Sequence, residues 1–308
     1  MQYYFAPLEG LTDRVYRRLH RQYFGGPDRY YLPFLSPTVH RALTPREAME
    51  LPPAHTLSYT AIPQLLTKNA EDFLWMADQC KALGYTQVNL NLGCPSGTVT
   101  AKGKGSGMLR EPQGLDCFLY DIFKDAPLPI SVKTRIGFSD PGEFPALLEI
   151  FNRYPICQLI VHPRVRTAFY KGAVDMDAFA YAVAHSKAPL CYNGDLHSMA
   201  DITRISVDFS NVQAVMLGRG LLGNPGMLLP GGTDLVTLEQ FHTALLQAYV
   251  QEFGGPRNAM FRMKEHWSYI LPNFKDNEKL AKRLRKCTDV AEFTAITNQI
   301  FHTLTWNP

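Results

Sequence analysis

The chain has no Cys-x-x-Cys pair. Its six cysteines, Cys80, Cys94, Cys117, Cys157, Cys191 and Cys287, are scattered, so neither a zinc ribbon nor a redox dithiol is written into the sequence. Most of them lie in apolar segments and are expected to be inert core thiols. Met1-Gln2-Tyr3-Tyr4-Phe5-Ala6-Pro7 has no basic stretch followed by an apolar one, so no signal peptide is expected. No apolar run is long enough to span a bilayer. Together these absences point to the cytoplasm, to reduced thiols and to no membrane partner. Charge of one sign is also scarce. Lys and Arg number 31 against 28 Asp and Glu, for a net charge of +3. Any grip on nucleic acid must therefore come from a local basic footprint. There is no low-complexity segment, no repeat beyond a strand–helix period, and no sign of an obligatory protein partner.

What is present is an ordinary globular composition over 308 residues, 46% apolar and 19% charged. Short apolar strands alternate with amphipathic helices. Strands are expected at 3–6, 30–35, 58–65, 87–92, 130–135, 158–162, 190–193 and 214–218. Helices are expected at 11–23, 69–83, 112–124, 142–154, 175–185 and 198–205. About eight strand–helix units fit a (β/α)8 TIM barrel, an α/β fold; a doubly wound open sheet is the alternative. After Leu229-Pro230-Gly231-Gly232 the strand signal stops, and helices are expected at 238–253, 257–271, 278–287 and 290–304. The organisation read from this is a barrel domain over 1–229 and a C-terminal all-helical domain over 234–308.

In a barrel the chemistry sits at the carboxyl ends of the strands, and polar residues gather there. Ala6-Pro7-Leu8-Glu9-Gly10 closes the first strand, and Gln64 lies at the third. Asn89-Leu90-Asn91-Leu92-Gly93-Cys94-Pro95-Ser96 puts a carboxamide and a thiol at the end of the fourth. Lys102-Gly103-Lys104-Gly105-Ser106-Gly107 follows, a glycine-rich loop expected to move or to close on a ligand. Lys133-Thr134-Arg135, His162-Pro163-Arg164, Asn193-Gly194-Asp195 and Gly218-Arg219-Gly220 end the remaining strands. The last two suit a phosphate, since glycines let backbone N–H groups approach and an arginine adds charge. Gly218 to Gly223 also spells G-x-G-x-x-G, but no further βαβ unit follows it to make a Rossmann site. Lys133 on a strand interior is costly to bury unless it meets negative charge. The thiol of Cys94, with an ordinary pKa near ~8.5, would still carry its proton at neutral pH.

The order Ala-Pro-Leu-Glu-Gly, Gln-Leu, Asn-Leu-Gly-Cys-Pro, Val-Lys-Thr-Arg-Ile-Gly, Val-His-Pro-Arg, Asn-Gly-Asp and Gly-Arg-Gly resembles the tRNA-dihydrouridine synthases. The resemblance covers the barrel and is fainter in the tail, where Met263-Lys264-Glu265-His266-Trp267 is similar to the family's helical domain. It implies FMN at the barrel mouth, NADPH as electron donor and tRNA as substrate. It further implies hydride transfer to C6 of a uridine, with Cys94 protonating C5. Cofactor contacts carried over are Pro7, Leu8, Gln64, Lys133, His162, Asn193, Gly194, Asp195, Gly218 and Arg219. Substrate contacts are Asn91, Arg135 and Arg164. The tail would help to grip the RNA. Basic runs at Lys279, Lys282, Arg283, Arg285 and Lys286 and at Arg14, Arg17, Arg18 and Arg21 are candidate phosphate contacts, though such runs are more often simply solvated faces.

The sequence departs from the family at Asn89, usually aspartate, at Thr67 and Pro163, usually glycine, and at Gly226, usually tryptophan. Two other functions remain to be distinguished. A dihydroorotate or dihydropyrimidine dehydrogenase-like enzyme would act on a free pyrimidine. An idle RNA-binding protein on the same scaffold would bind RNA and form no product.

Overall fold

The structure, a computed structural model, describes residues 1–38 and 40–308. Nine parallel strands form one sheet: β1 (Gln2–Phe5), β2 (Arg29–Tyr31), β3 (Ala61–Ile62), β4 (Gln64–Leu65), β5 (Val88–Leu92), β6 (Ile130–Arg135), β7 (Gln158–His162), β8 (Leu190–Tyr192) and β9 (Ala214–Leu217). Their order is β3-β2-β1-β9-β8-β7-β6-β5-β4. The two ends of this sheet are the same piece of chain, because only Pro63 separates β3 from β4. β3 pairs with β2 and β4 with β5, so the sheet closes as eight staves in chain order. That is the expected (β/α)8 barrel. Pro63 has no N–H for the ladder, but its carbonyl accepts from Asn89 N at 2.8 Å. This proline explains why the strand expected over 58–65 is two dipeptides.

The strands are buried on both faces, as a barrel requires. In β5 every residue is buried; Val88, Leu90 and Leu92 alternate with Asn89 and Asn91, whose amides bond to neighbouring staves. Tyr4 and Tyr31, with ring centroids 5.7 Å apart, fill part of the same core.

The helices are α1 (Arg14–Tyr23), α2 (Pro45–Glu50), α3 (Ala70–Ala82), α4 (Gly97–Thr100), α5 (Pro112–Lys124), α6 (Phe144–Phe151), α7 (Met176–His185), α8 (Met199–Asp208), α9 (Arg219–Gly223), α10 (Leu235–Glu252), α11 (Pro256–Ile270), α12 (Glu278–Lys286) and α13 (Val290–Thr303). Side-chain caps set many of their starts. Asn69 accepts from Asp72 N, Asp175 from Ala178 N, Asp234 from Thr237 N and Asp289 from Glu292 N. Such caps contribute about 1 kcal/mol each. Thr44 and Glu47 form a reciprocal capping box at α2, a helix not expected from the sequence.

The chain divides into two compact units. One comprises Met1–Pro7, Asp28–Asp195 and Ile202–Met216; the other comprises Leu8–Pro27, Leu196–Asp201 and Leu217–Pro308. In the second unit α1 packs on α10, and α10 on α11. Tyr16 stacks on His266 at 4.9 Å there, and the Tyr249 hydroxyl donates to Asp13 Oδ2 at 3.1 Å. Arg17 is buried and donates to Thr12 O at 2.6 Å, while Arg14 pairs with Glu252. The run Arg14 to Arg21 is therefore only in part a solvated basic face: Arg18 and Arg21 are exposed, and Arg17 lies inside. α12 is such a face: Leu280 and Leu284 are buried, whereas Lys279, Lys282, Arg283, Arg285 and Lys286 are all exposed. No helix of the described residues is long and apolar enough to cross a membrane.

Candidate active site

The segment after β5 is held at every backbone polar atom from Gly93 to Pro95. The Asn91 carboxamide oxygen accepts from Gly93 N at 3.0 Å and from Cys94 N at 2.9 Å. Arg135 Nε donates to Gly93 O at 2.9 Å. Ser106 donates to Cys94 O twice, from its backbone N at 3.2 Å and from Oγ at 2.7 Å. Arg166 Nε donates to Pro95 O at 3.1 Å. A proline has no N–H, so no backbone group of this tripeptide lacks a partner. Cys94 itself is partly exposed.

The glycine-rich segment is part of this fixture. Residues Gly105–Arg110 form a 3-10 helix, in which Gly105 to Leu109 are buried. Gly105 has φ +58, and a Cβ there would stand 3.1 Å from Cys94 Cβ and 3.0 Å from Val99 Cγ1. Of the glycine-rich loop expected to move or to close on a ligand, this stretch is packed against the segment that carries Cys94. Gly105 provides close approach beneath Cys94, and Gly107 lies against Thr100, where a Cβ would stand 2.9 Å from the carbonyl oxygen.

Beside the thiol runs a ladder of side-chain amides. Asn91 Nδ2 donates to Gln64 Oε1 at 2.7 Å, Gln64 Nε2 to Asn89 Oδ1 at 2.8 Å, and Asn89 Nδ2 to Ser131 Oγ at 2.9 Å. Each terminal amide nitrogen has a second N–H beyond these bonds. Asn89, where the family usually carries aspartate, is fully buried. As a neutral amide it donates where a carboxylate could not. Thr67, another departure, is buried and accepts from Asn69 N at 3.1 Å.

Lys133 on β6 stands opposite Asn91 in the ladder of strands. Among the described residues its ammonium group makes no hydrogen bond or ion pair. Burial, and then the Arg135 charge, lower its pKa to about 8; the thiols of Cys191 and Cys94 act the other way. It is a cation set among groups that do not neutralise it.

The two arginines expected to meet substrate are heavily engaged. Arg135 spends Nε on Gly93 O and Nη1 on Val165 O at 2.9 Å, and its guanidinium lies 5.4 Å from the Tyr170 ring centroid. Arg164 is 2% exposed and forks onto Asp195, with Nη1 to Oδ1 at 3.1 Å and a second bond from Nη2 to Oδ2. Arg164 Nη1 also lies 3.1 Å from His162 Nε2. A guanidinium can only donate, so that nitrogen accepts and the ring hydrogen sits on Nδ1. Asp195, expected at a phosphate, is the counter-ion of Arg164 and has φ +42.

Asn193 donates from Nδ2 to Met216 O at 2.8 Å, and a Cβ on Gly194 would stand 2.9 Å from Val174 Cγ1. Pro163, the family's usual glycine, is buried and accepts from Asp175 N at 2.8 Å. Pro7 follows β1 and is partly exposed. In the second unit Leu8 O accepts from Leu11 N and Thr12 N, each at 3.0 Å. There too, Gly218 caps α9 and Arg219 begins it. Gly226 has no room for a side chain: a Cβ would lie 2.9 Å from Thr233 Oγ1 and 3.1 Å from Phe24 Cδ1. Among the described residues no cluster of His, Cys, Asp or Glu could hold a metal ion.

Sequence reasoning missed Arg166, Ser106 and Tyr170. Arg166 and Ser106 act on backbone far away in the chain, which residue type does not reveal. Tyr170 had a weak signal, a Phe169-Tyr170 aromatic pair in the loop after β7. It is 52% exposed, and its ring lies 6.0 Å from that of His162.

A family model described as dihydrouridine synthase (Dus) matches residues 4–304. A probable tRNA-dihydrouridine synthase 1 of Synechocystis is 27% identical over 316 residues, covering 97% of this chain and 86% of the relative. A tRNA-dihydrouridine(16) synthase of Pseudomonas putida is 26% identical over 314 residues, 96% of each chain. Among solved structures, histamine dehydrogenase from Rhizobium sp. 4-9 overlays 87% of this chain and 49% of its own with a TM-score of 0.54 at 9% identity, a likeness of fold.

Proposed function

Because the chain belongs to the dihydrouridine synthase family, we propose that it reduces uridine in tRNA to 5,6-dihydrouridine, with FMN bound at the barrel mouth and NADPH as electron donor. The observation that carries the proposal is the joint setting of Cys94 and Lys133. A partly exposed thiol on a fully tethered loop shares the C-terminal face of the barrel with a lysine that no protein anion neutralises.

The residues present fit a flavin. Lys133 offers an uncompensated positive charge to the N1–C2 edge of the ring, where reduced flavin is anionic. Gln64 and Asn91 each keep an N–H for a ring carbonyl, of flavin and of uracil respectively. His162 and Tyr170, with ring centroids 6.0 Å apart, would add aromatic surface for the ring system. Pro7 and Leu8 are assigned to the isoalloxazine, and Asn193, Gly194, Gly218 and Arg219 to the cofactor phosphate, on the family resemblance and on residue type. Asp195 serves by fixing Arg164.

Bound and reduced, FMN supplies the hydride for C6 of the uracil. Cys94 supplies the proton for C5 from its Sγ–H. One hydride and one proton complete the saturation of C5=C6, and the thiolate recovers its proton from water. The tethers on Gly93, Cys94 and Pro95 keep the thiol at one height above the barrel, which is what a positioned acid needs. A uridine in folded tRNA reaches the site only if extruded from its stack. The exposed cations of α12 supply a local basic footprint for the RNA.

The test is mass spectrometry of nucleosides from unmodified tRNA incubated with the holoenzyme and NADPH. A nucleoside two hydrogens heavier than uridine is expected from tRNA, and none from free uracil. Cys94→Ala should keep its flavin and lose about 100- to 10,000-fold in product rate, the usual range for a general acid. Undiminished product from that variant would remove the acid assignment. Turnover of free uracil or dihydroorotate in place of tRNA would overturn the substrate.

A further inference from the structure

Three lysines converge on the rim of the barrel beside the cysteine loop. Lys68 follows β4, and Lys102 and Lys104 lie between Cys94 and α5. Lys68 Nζ lies 3.6 Å from where a Cβ on Gly103 would stand. Its ammonium is therefore folded over the residue that separates Lys102 from Lys104. Lys104 is partly buried and donates from Nζ to Ser36 Oγ at 3.0 Å, its one bond to the protein. Lys68 and Lys102 are exposed, and among the described residues their ammonium groups make no hydrogen bond or ion pair.

The carboxylates nearby are committed elsewhere. Glu47 accepts from Ser36 N at 2.9 Å and from Thr44 N at 3.0 Å, and Asp72 pairs with Arg41 at 3.4 Å. Burial, and then the charges of Lys102 and Lys68, lower the pKa of Lys104 against the opposing pull of Asp72 and Glu47. A lysine on a flexible four-carbon stem can ordinarily point away from like charge. Here Lys68 Nζ lies over Gly103, and Lys102 and Lys68 both stand close enough to Lys104 for their charges to act on it. Compact, hydrated cations gathered in this way match a phosphate oxygen cluster.

We infer that Lys68, Lys102 and Lys104 form a phosphate-binding site that grips the RNA backbone next to the base held over Cys94. The inference rests on the RNA substrate proposed above. Ser36, Lys68 and Lys102–Lys104 follow three consecutive staves on the catalytic face. Gly105, next to Lys104, packs against Cys94. A strand seated here has its phosphate within reach of the loop that carries the acid. The site would hold the nucleotide adjoining the extruded uridine and help to keep it extruded.

The test compares full-length holoenzyme with the triple variant Lys68→Ala/Lys102→Ala/Lys104→Ala and with the pair Lys68→Ala/Lys102→Ala, which spares the bond to Ser36. Lys81→Ala/Lys124→Ala serves as a control on helix ends away from the loops. The readout is tRNA affinity between 50 and 200 mM salt, beside the KM for NADPH and for NADH in flavin reduction. Each lost phosphate contact should flatten the decline in affinity by about threefold over that range. The pair and the triple variant should both flatten, and the control should match wild type. If wild type binds tRNA and makes dihydrouridine while all variants keep its salt dependence, the site falls and the function stands. If wild type neither binds nor reacts, the RNA reading falls and the site with it. A tenfold rise in KM for NADPH alone, with the tRNA salt dependence unchanged, would overturn the RNA assignment in favour of the 2′-phosphate of the dinucleotide.

Discussion

Arg166 donates from Nε to the carbonyl of Pro95 at 3.1 Å and from Nη2 to Thr100 Oγ1 at 3.1 Å. One side chain from the loop after β7 thus ties the residue that follows Cys94 to the end of α4. Its guanidinium is itself flanked by the rings of Phe138 and Phe169, at 5.3 and 5.0 Å. Arg166 does not meet a substrate atom on this reading; it positions the residue that does.

Arg166→Ala should therefore lower kcat by about 10- to 100-fold, the cost of a misplacement of order 1 Å. Flavin content should stay unchanged. Iodoacetamide labelling of Cys94 in the flavin-free protein, followed by peptide mass, should change rate, and Arg166→Lys should restore part of both. Wild-type kcat and labelling rate in the alanine variant would show that the tether is dispensable.

Lys133 has a folded-state pKa of about 8, below the ordinary lysine value of about 10.4. The ammonium is thus complete below about pH 8 and is lost above it, earlier than a free lysine would lose it. Lys133→Met should shift the flavin potential to more negative values by about 30 mV or more, the equivalent of about 1.4 kcal/mol for two electrons. It should also weaken the dependence of flavin reduction on pH between 7 and 9. An unchanged potential would remove the charge-stabilising role.

Three histidines of the helical unit make it acid-sensitive. Burial is the first cause lowering the pKa of His20 to about 3, of His242 to about 4 and of His266 to about 3. Unfolded, each titrates near 6.5. The unfolded chain therefore takes up protons first, so stability is whole above about pH 6.5 and is lost as pH falls towards 4. Between those limits the slope approaches about 4 kcal/mol per pH unit for three protons. Urea midpoints at pH 7, 6 and 5 should follow that slope. His242→Phe, in a site already lined by Trp267 and Phe301 at 5.4 Å each, should flatten it by about one third.

Asp195→Asn leaves the Arg164 guanidinium buried without a counter-ion. The cost expected is about 3 kcal/mol, the lower end for a broken buried pair, because Asp195 is partly exposed. Arg164→Met/Asp195→Asn should recover a good part of it in the urea midpoint. Equal losses in the single and double variants would show that the cost is not that of an unpaired buried charge, and would overturn this account.

Much of this molecule could be read before its structure. β6 and β7 lie where apolar runs put them, at Ile130–Arg135 and Gln158–His162. Helices begin where Asn69, Asp175 and Asp289 can cap them, since capping is local chemistry. What could not be read is non-local. Arg135 has the residue type of a substrate clamp, yet its donors go to Gly93 O and Val165 O, 42 and 30 residues away. Gly105 suggests freedom by composition but is buried against Cys94. The run from Arg14 to Arg21 counts as charge in a sequence; only packing discloses that Arg17 lies inside.

A ring of strands has no edge, and the place where this ring most resembles one is Pro63. Each neighbouring stave meets only a dipeptide there, Ala61–Ile62 on one side and Gln64–Leu65 on the other. The isolated bridge between Leu35 and Leu65 reinforces the seam from the β2 side. Amide hydrogens along it are guarded by fewer cooperative bonds than those of β5 or β6, so native-state exchange should begin there. Gln64, the central rung of the amide ladder, sits on that seam. The part of the barrel best able to breathe is therefore wired to the carboxamide that holds the cysteine.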